Sequence, residues 1–132
     1  MRLVIDTNVL VSGLLKPKGP PGRILDSLVQ GTIVAVYSPA ILAEYGTVLA
    51  RRKFAFDPEN VAALLELVVA EGWPISRIAR LDMHLRDPGD RPFYECAAAA
   101  GCPLVTGNAK DFPIKGPVEI LSPAQLARRL GV

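Results

Sequence analysis

Short apolar runs that alternate with helix-forming segments are the feature of the sequence that most constrains its fold. The runs at residues 3–5, 33–37 and 104–106 have the length and composition of strands buried on both faces, and residues 118–121 are a predicted fourth. Helical patterns lie between these runs. Strands that alternate with helices predict an α/β fold, in which a parallel sheet is covered by helices on both faces.

Three helix starts are marked by a polar residue followed by proline. A proline at the first helical position costs no hydrogen bond, and the Ser or Asp before it can cap the free N–H groups of the first turn. The pairs are Ser38-Pro39, Asp57-Pro58 and Ser122-Pro123. We expect helices from residue 39 to about 52, over residues 58–71, and from residue 92 to about 100, and a loop at residues 16–22.

Length and composition indicate one domain over residues 1–132. No apolar run approaches the roughly 20 residues that span a bilayer, and residues 1–10 reach an acid before a secretory signal could form. We therefore expect a cytoplasmic protein with no membrane segment. The net charge of +2 neither predicts nor excludes nucleic acid. Cys96 and Cys102 fit buried small side chains better than a zinc site or disulfide.

Acidic and amide side chains follow the predicted strands or begin the helices after them. Asp6 ends the first strand, and Asn108 follows the strand at residues 104–106. In an open parallel sheet, ligands bind beyond the carboxyl ends of the strands. Glu44 lies beside the apolar stripe of its helix, so it can face the same edge. The sequence therefore predicts that carboxylates converge at one rim: Asp6, Glu44, Asp87, Asp90 and Asp111.

Such a cluster needs a cation, because neighbouring carboxylates raise each other's pKa and oppose folding. Oxygen ligands suit Mg²⁺ or Mn²⁺ and argue against structural zinc. Hydrolysis of phosphodiester bonds is a reaction that such sites support. His84 is the single histidine, so the chain by itself lacks the two-histidine acid–base pair of a metal-free ribonuclease.

Each acid taken alone has an ordinary structural interpretation. Asp6 could cap a helix that begins at Thr7, and Glu44 could be a solvated helix residue. Asp87 and Asp90 fit turn and cap positions, and Asn108 and Asp111 fit a surface loop. Only their shared location favours a functional site.

Four segments of the sequence resemble the PIN-domain family of small ribonucleases, which includes the VapC-type toxins of toxin–antitoxin pairs. The segments are residues 4–8 (VIDTN), 38–44 (SPAILAE), 87–92 (DPGDRP) and 104–112 (LVTGNAKDF). Each motif is weak alone, but their order and spacing across nearly the whole chain are specific. The resemblance implies a PIN-like three-layer sandwich with a parallel sheet of four to five strands, and a metal-dependent endoribonuclease.

The resemblance also implies roles for individual residues. Asp6 and Asp90 would bind the metal, Mg²⁺ or Mn²⁺, while Glu44 and Asp111 would be further acids of the site. Thr7 and Thr106 would orient carboxylates, and Asp87 would be auxiliary. Many relatives carry an acid where Asn108 stands, so a second metal ion would be held weakly or only together with RNA.

Basic residues near these acids are candidate contacts for RNA phosphates. They are Lys16, Arg51, Arg52 and Arg91, although the cluster at residues 51–53 also fits a solvated helix end. The family resemblance implies an antitoxin partner and a homodimer or higher oligomer. The apolar helix segment at residues 61–69 is either a subunit contact or ordinary core.

Two other functions remain open at this stage. Asp6 could be the phosphoacceptor of a phosphotransfer domain, although Asn8 stands where such domains usually carry a second acid. The chain could also be a catalytically silent binding module, an interpretation that the neutral Asn108 supports.

Overall fold

Five parallel strands form the sheet of this protein. A computed structural model describes residues 1–132. The strands are β1 (Arg2–Ile5), β2 (Val34–Tyr37), β3 (Trp73–Pro74), β4 (Leu104–Val105) and β5 (Ile120–Leu121). Their order across the sheet is β3-β2-β1-β4-β5, and every neighbouring pair is parallel. The predicted α/β fold is confirmed.

Six helices connect and cover the strands. They are α1 (Thr7–Leu15), α2 (Pro20–Gln30), α3 (Pro39–Leu49), α4 (Pro58–Glu71), α5 (Arg91–Ala100) and α6 (Pro123–Leu130). Leu3, Val4 and Ile5 are all buried although their side chains point alternately to opposite faces of the sheet. Both faces of the central strand are therefore covered. None of the six helices combines the length and apolar character that crossing a membrane requires.

The three predicted helix starts are confirmed by their capping bonds. The Ser38 hydroxyl accepts a hydrogen bond from the Ile41 N–H at 3.2 Å, and Asp57 accepts one from the Glu59 N–H at 2.9 Å. Ser122 and Gln125 cap each other's backbone N–H groups. These bonds fix where α3, α4 and α6 begin.

The hydrophobic core lies between the sheet and the helices. It comprises 28 buried residues. Tyr45 of α3 is fully buried, and its hydroxyl donates a hydrogen bond to the Ile5 carbonyl. The Tyr45 ring also packs against Phe93 of α5, with ring centroids 6.3 Å apart. This bond and this contact hold α3 and α5 against the end of β1, where the acidic residues begin.

Two glycines allow close packing of α2, Gly22 against the connection that precedes it and Gly13 of α1 against Leu25. A Cβ atom on Gly22 would lie 1.9 Å from the Pro17 carbonyl oxygen, and one on Gly13 would lie 2.7 Å from Leu25. The prediction of a loop over residues 16–22 was therefore wrong at its end, because α2 already begins at Pro20. Pro20 supplies the fixed φ angle of a first helical position.

A helix end, the length of one strand and the presence of another also differ from the sequence prediction. Helix α3 ends at Leu49, and a short 3₁₀ turn (Arg52–Phe54) follows it instead of a continuous helix to residue 52. The fourth predicted strand shrinks to Ile120–Leu121, although Val118 is buried. Strand β3 was not predicted, because an exposed two-residue edge strand produces no apolar run.

Candidate functional site

The predicted site residues lie on segments that meet at the carboxyl ends of the two central strands. Asp6 directly follows β1 and Thr106 directly follows β4, and these strands are hydrogen-bonded neighbours. Glu44 lies on α3, and Asp90 immediately precedes α5. A parallel sheet exposes its ligand-binding crevice at this edge.

Asp6 is held by side-chain hydrogen bonds and is 6% exposed. Its Oδ2 atom accepts a hydrogen bond from the Thr106 hydroxyl at 2.7 Å and one from the Asn8 amide at 3.4 Å. Asp6 occupies the N-cap position of α1, where the backbone N–H groups of Thr7 and Asn8 lower the pKa of its carboxylate without forming a regular capping bond. The bond from Thr106 ties Asp6 to the end of β4 as well as to the start of α1.

Asn8 connects the two strand ends. Its side-chain Oδ1 atom accepts a hydrogen bond from the Gly107 N–H at 3.0 Å, while its Nδ2 atom donates to Asp6. The Asn108 N–H in turn donates to the Thr106 hydroxyl at 3.1 Å. We call residues 6–8 and 106–108 the strand side of the site. Asn8 was not predicted as a site residue; its position two residues after Asp6 was the available signal.

Glu44 reaches the strand side through Thr7. The Thr7 hydroxyl donates a hydrogen bond to Glu44 Oε2, and both residues are at least partly buried. Because this bond joins α1 to α3, it fixes one Glu44 oxygen at the edge of the sheet. The two threonines of the site therefore each orient one carboxylate.

Asp87 and Asp90 lie on a less regular segment, residues 75–90, which we call the loop side. Asp87 accepts a hydrogen bond from the Gly89 N–H at 2.9 Å, so it caps the short turn that ends at Asp90. Asp90 itself is half-buried. Across the site, Asp111 pairs with Arg86 at 3.2 Å, and the Arg86 side chain is 74% exposed. The prediction that Asp87 occupies a turn position is thus what the geometry shows.

Burial and mutual repulsion raise the pKa values of the central carboxylates. The pKa of Asp90 is raised to about 6, first by burial and then by the negative charges of Asp6, Asp87, Asp111 and Glu44. Burial also raises the pKa of Asp6, while the hydrogen bond from Thr106 partly offsets the effect. Asp90 thus experiences the negative charge of all four other predicted acids, so the carboxylates act on one another electrostatically.

A hard divalent cation is the group that this donor set fits. No three His, Cys, Asp or Glu side chains are close enough to hold a metal ion by themselves, so the predicted rim of five carboxylates is not a ready-made cage. Mg²⁺ is commonly bound by one or two carboxylates with water in its other positions. Asp6 and Asp90 with water fit that pattern, whereas a structural zinc site with four protein ligands does not fit.

The predicted basic residues differ in whether their side chains are already bonded within the chain. Lys16, Arg51 and Arg52 are exposed and form no ion pair within the chain. Arg51 and Arg52 follow α3, about 10 Å along the helix axis beyond Glu44. Arg91 is different, because its guanidinium donates to the Leu81 and Met83 carbonyls and pairs with Glu95. These bonds within the chain argue against its predicted contact with substrate.

The helix segment at residues 61–69 divides between core and surface. Val61, Leu64 and Val68 are buried against the rest of the protein, whereas Val69 is 50% exposed. Leu65 and Val69 line an apolar groove with Leu42 of α3. One face of α4 is therefore ordinary core, and the other remains available for a contact.

Fold and site together define an α/β domain with a group of acidic side chains at the carboxyl ends of its parallel strands. The family model of the PIN domain matches residues 2–110, and the chain belongs to the PIN domain family. PIN domains are typically nucleases.

Two similar proteins illustrate this relationship. The uncharacterized protein MJ1680 of Methanocaldococcus jannaschii is 32% identical over 111 residues, which cover 82% of this chain and 71% of the relative. A chain in the crystal structure of VapBC2 from Rickettsia felis, bound to a DNA fragment from their promoter, superposes with a TM-score of 0.59. That match covers 92% of this chain and 98% of the other at 20% identity, so it shows a shared fold.

Proposed function

We propose that this protein is an endoribonuclease that requires Mg²⁺ or Mn²⁺ and hydrolyses RNA phosphodiester bonds. One observation carries the proposal: Asp6, held by Thr106, and Glu44, held by Thr7, lie with Asp90 at the carboxyl edge of a parallel sheet, where burial and the negative charges of the neighbouring acids raise the pKa of Asp90. Repulsion of this kind destabilises a fold unless a cation or proton offsets it. Membership of the PIN domain family supports the same reaction class.

In this proposal Asp6 and Asp90 hold the metal ion, and a divalent cation bound there supplies Lewis-acid activation of water and of the phosphoryl oxygens. Thr106 and Asn8 keep the Asp6 carboxylate oriented, because both donate to its Oδ2 atom. Thr7 does the same for Glu44. Asp111 contributes through its charge, and Arg86 balances that charge from the opposite side of the crevice.

The proposal extends to a biological setting, a cytoplasmic toxin that an antitoxin protein inhibits. The fold shared with a chain of the VapBC2 complex supports it. The exposed cations Lys16, Arg51 and Arg52 are the proposed contacts for RNA phosphates. The exposed face of α4 is the proposed contact in a homodimer or higher oligomer.

Cleavage assays with single-carboxylate variants test the enzymatic proposal. We expect the purified protein to cut single-stranded RNA with Mn²⁺ or Mg²⁺ and to stop when EDTA is added. Asp6→Asn and Asp90→Asn should each reduce cleavage by more than the roughly 10- to 100-fold that loss of an outer hydrogen bond causes. Asp82→Asn is the matched control, because Asp82 is an exposed acid of the same loop side. A parallel assay with single-stranded DNA defines the substrate class.

A catalytically silent binding module is the second candidate, because Asn108 is neutral and no three acids form a metal cage by themselves. Wild-type protein that binds RNA without cutting it in Mn²⁺ would favour this alternative. A phosphoacceptor role for Asp6 is less consistent with the structure, since Asp6 is 6% exposed and its Oδ2 atom already accepts two hydrogen bonds.

A further inference from the structure

We propose that Arg91 and Glu95 form a clasp that holds residues 81–90 in place and thereby positions Asp90 for metal binding. This inference rests on the proposed function, in which Asp90 is a metal ligand. It assigns both residues as positioning residues, and it replaces the substrate contact that the sequence predicted for Arg91.

The clasp consists of three hydrogen bonds between α5 and the loop side and one bond within α5 that joins its two side chains. Arg91 donates to the Leu81 carbonyl at 2.8 Å and to the Met83 carbonyl at 2.6 Å. Glu95 Oε2 accepts from the Leu81 N–H and from Arg91, the latter at 3.2 Å. The Glu95 side chain is 11% exposed and that of Arg91 is 23% exposed, so water competes little for these bonds.

Apart from apolar side chains that pack against the core, the loop side has few other hydrogen bonds that fix its path. The backbone N–H groups of residues 76–80 donate no hydrogen bond, and those of residues 84–87 donate none either. Leu85 is the one buried residue of residues 75–90. A segment with so few internal bonds takes its position from the side chains that hold it.

The clasp closes a loop that carries the acids. Arg91 binds the Leu81 carbonyl ten positions earlier in the chain, and Asp87 and Asp90 lie between these two residues. Asp90 is covalently next to Arg91, so an Arg91 side chain fixed to residues 81 and 83 restricts the backbone on both sides of the turn. All hydrogen bonds of the Arg91 guanidinium go to this loop or to Glu95. This pattern is the one expected of a side chain that anchors structure.

Substitutions in the clasp separate positioning from substrate binding. Arg91→Lys keeps the charge, but a lysine ammonium lacks the planar fork that spans two carbonyls and a carboxylate. Glu95→Ala removes the acceptor. Glu95→Gln keeps an oxygen that can accept from the Leu81 N–H, so it should retain part of the function that Glu95→Ala loses. Arg129→Lys is the matched control, because Arg129 pairs with Glu119 on an exposed surface.

Two readouts are measured on the full chain: Mn²⁺ affinity by calorimetry and backbone amide exchange of residues 81–90. We expect Arg91→Lys and Glu95→Ala to weaken Mn²⁺ binding about tenfold and to speed amide exchange at the hydrogen-bonded N–H groups of this segment, those of Leu81, Met83, Gly89 and Asp90. Glu95→Gln should weaken binding less, and Arg129→Lys should match wild type. If Glu95→Ala fails to fold, Arg91→Lys and Glu95→Gln still decide the question.

Unchanged Mn²⁺ affinity together with unchanged exchange would overturn the clasp. A raised KM for RNA at unchanged Mn²⁺ affinity in Arg91→Lys would overturn it in favour of substrate contact. If the wild-type protein binds no Mn²⁺, the proposed function fails by itself, and amide exchange of residues 81–90 alone supports or refutes the clasp.

Discussion

The strand side and the loop side of the candidate site are held by different kinds of structure. On the strand side, Asp6 and Thr106 follow the paired strands β1 and β4, and the Thr106 hydroxyl donates directly to the Asp6 carboxylate. On the loop side, Asp90 ends an irregular segment that is fixed by Arg91 and Glu95. One half of the site therefore derives its geometry from the sheet, and the other half from a few side-chain bonds.

Asp6 and Asp90, the two principal carboxylates, should therefore respond differently to mutation. The affinity for a metal ion that bridges the two sides would benefit from the rigidity of Asp6 and would depend on how firmly Asp90 is anchored. We expect changes on the strand side to act through carboxylate orientation, and changes on the loop side to act through mobility. The following predictions test that distinction.

Amide exchange should show the largest contrast between the two sides. The Asp6 N–H donates to the Val105 carbonyl at 2.9 Å and the Thr106 N–H to the Leu121 carbonyl at 2.9 Å, whereas residues 76–80 donate no backbone bond. We expect exchange at Asp6 and Thr106 to be slower by a factor on the order of 1000 or more. Equal protection of both groups in exchange measured by NMR would remove the distinction.

The sequence predicts most of the strand side but little of the loop side. Apolar runs and proline-marked helix starts depend on local patterns, so they located four of the five strands, the helices that begin at Pro39, Pro58 and Pro123, and the edge where Asp6 lies. Strand β3 is too short and exposed to leave such a pattern.

The clasp could not be predicted, because its acceptors are backbone carbonyls whose position depends on the folded path of residues 75–90. The spacing of Arg91 and Glu95 indicates a helical ion pair, but it does not reveal the loop that the pair holds. The sequence prediction for Arg91, a contact with RNA phosphates, therefore took no account of these bonds within the chain.

Thr106→Val should weaken Mn²⁺ binding about 10- to 100-fold, because the Asp6 carboxylate loses the hydroxyl that orients it. The pKa of Asp6 should also rise further, since this hydrogen bond lowers it. Calorimetry measures the affinity, and Thr47→Val on the exposed surface of α3 is the control. Wild-type affinity in Thr106→Val would show that the sheet alone orients Asp6.

The pH dependence follows from Asp90, whose pKa is raised to about 6 in the metal-free protein. Between its ordinary value and pH 6 the folded state holds a proton that the unfolded chain has released. The resulting stabilisation is complete below about pH 3.8 and is lost as pH rises through 6. Because solvent screens this half-buried group, we expect about 1 kcal/mol in the free energy of unfolding.

Metal binding should have the opposite pH dependence, because the proton on Asp90 must leave before the carboxylate binds a cation. Mn²⁺ affinity should therefore fall by up to about tenfold for each pH unit below 6. Urea unfolding and calorimetry between pH 4 and 8 measure the two trends. Asp90→Asn should flatten much of the unfolding trend, and an unchanged unfolding curve in that variant would assign the trend to another group.

Tyr45→Phe should have the smallest effect, about 1 kcal/mol in the free energy of unfolding, because it removes one buried hydrogen bond to the Ile5 carbonyl. The fully buried ring and its contact with Phe93 remain. Denaturant unfolding measures the loss. A simultaneous large fall in Mn²⁺ affinity would show that the strand side is less rigid than its hydrogen bonds indicate.

Anomalous diffraction from a crystal soaked in Mn²⁺ tests the metal site most directly. We expect a peak between the Asp6 and Asp90 carboxylates, with metal–oxygen distances of about 2.1 Å, and its disappearance in Asp90→Asn. A peak that lies away from both residues, or no peak in a crystal whose Asp6 and Asp90 are accessible to solvent, would contradict a nuclease centre at this edge of the sheet.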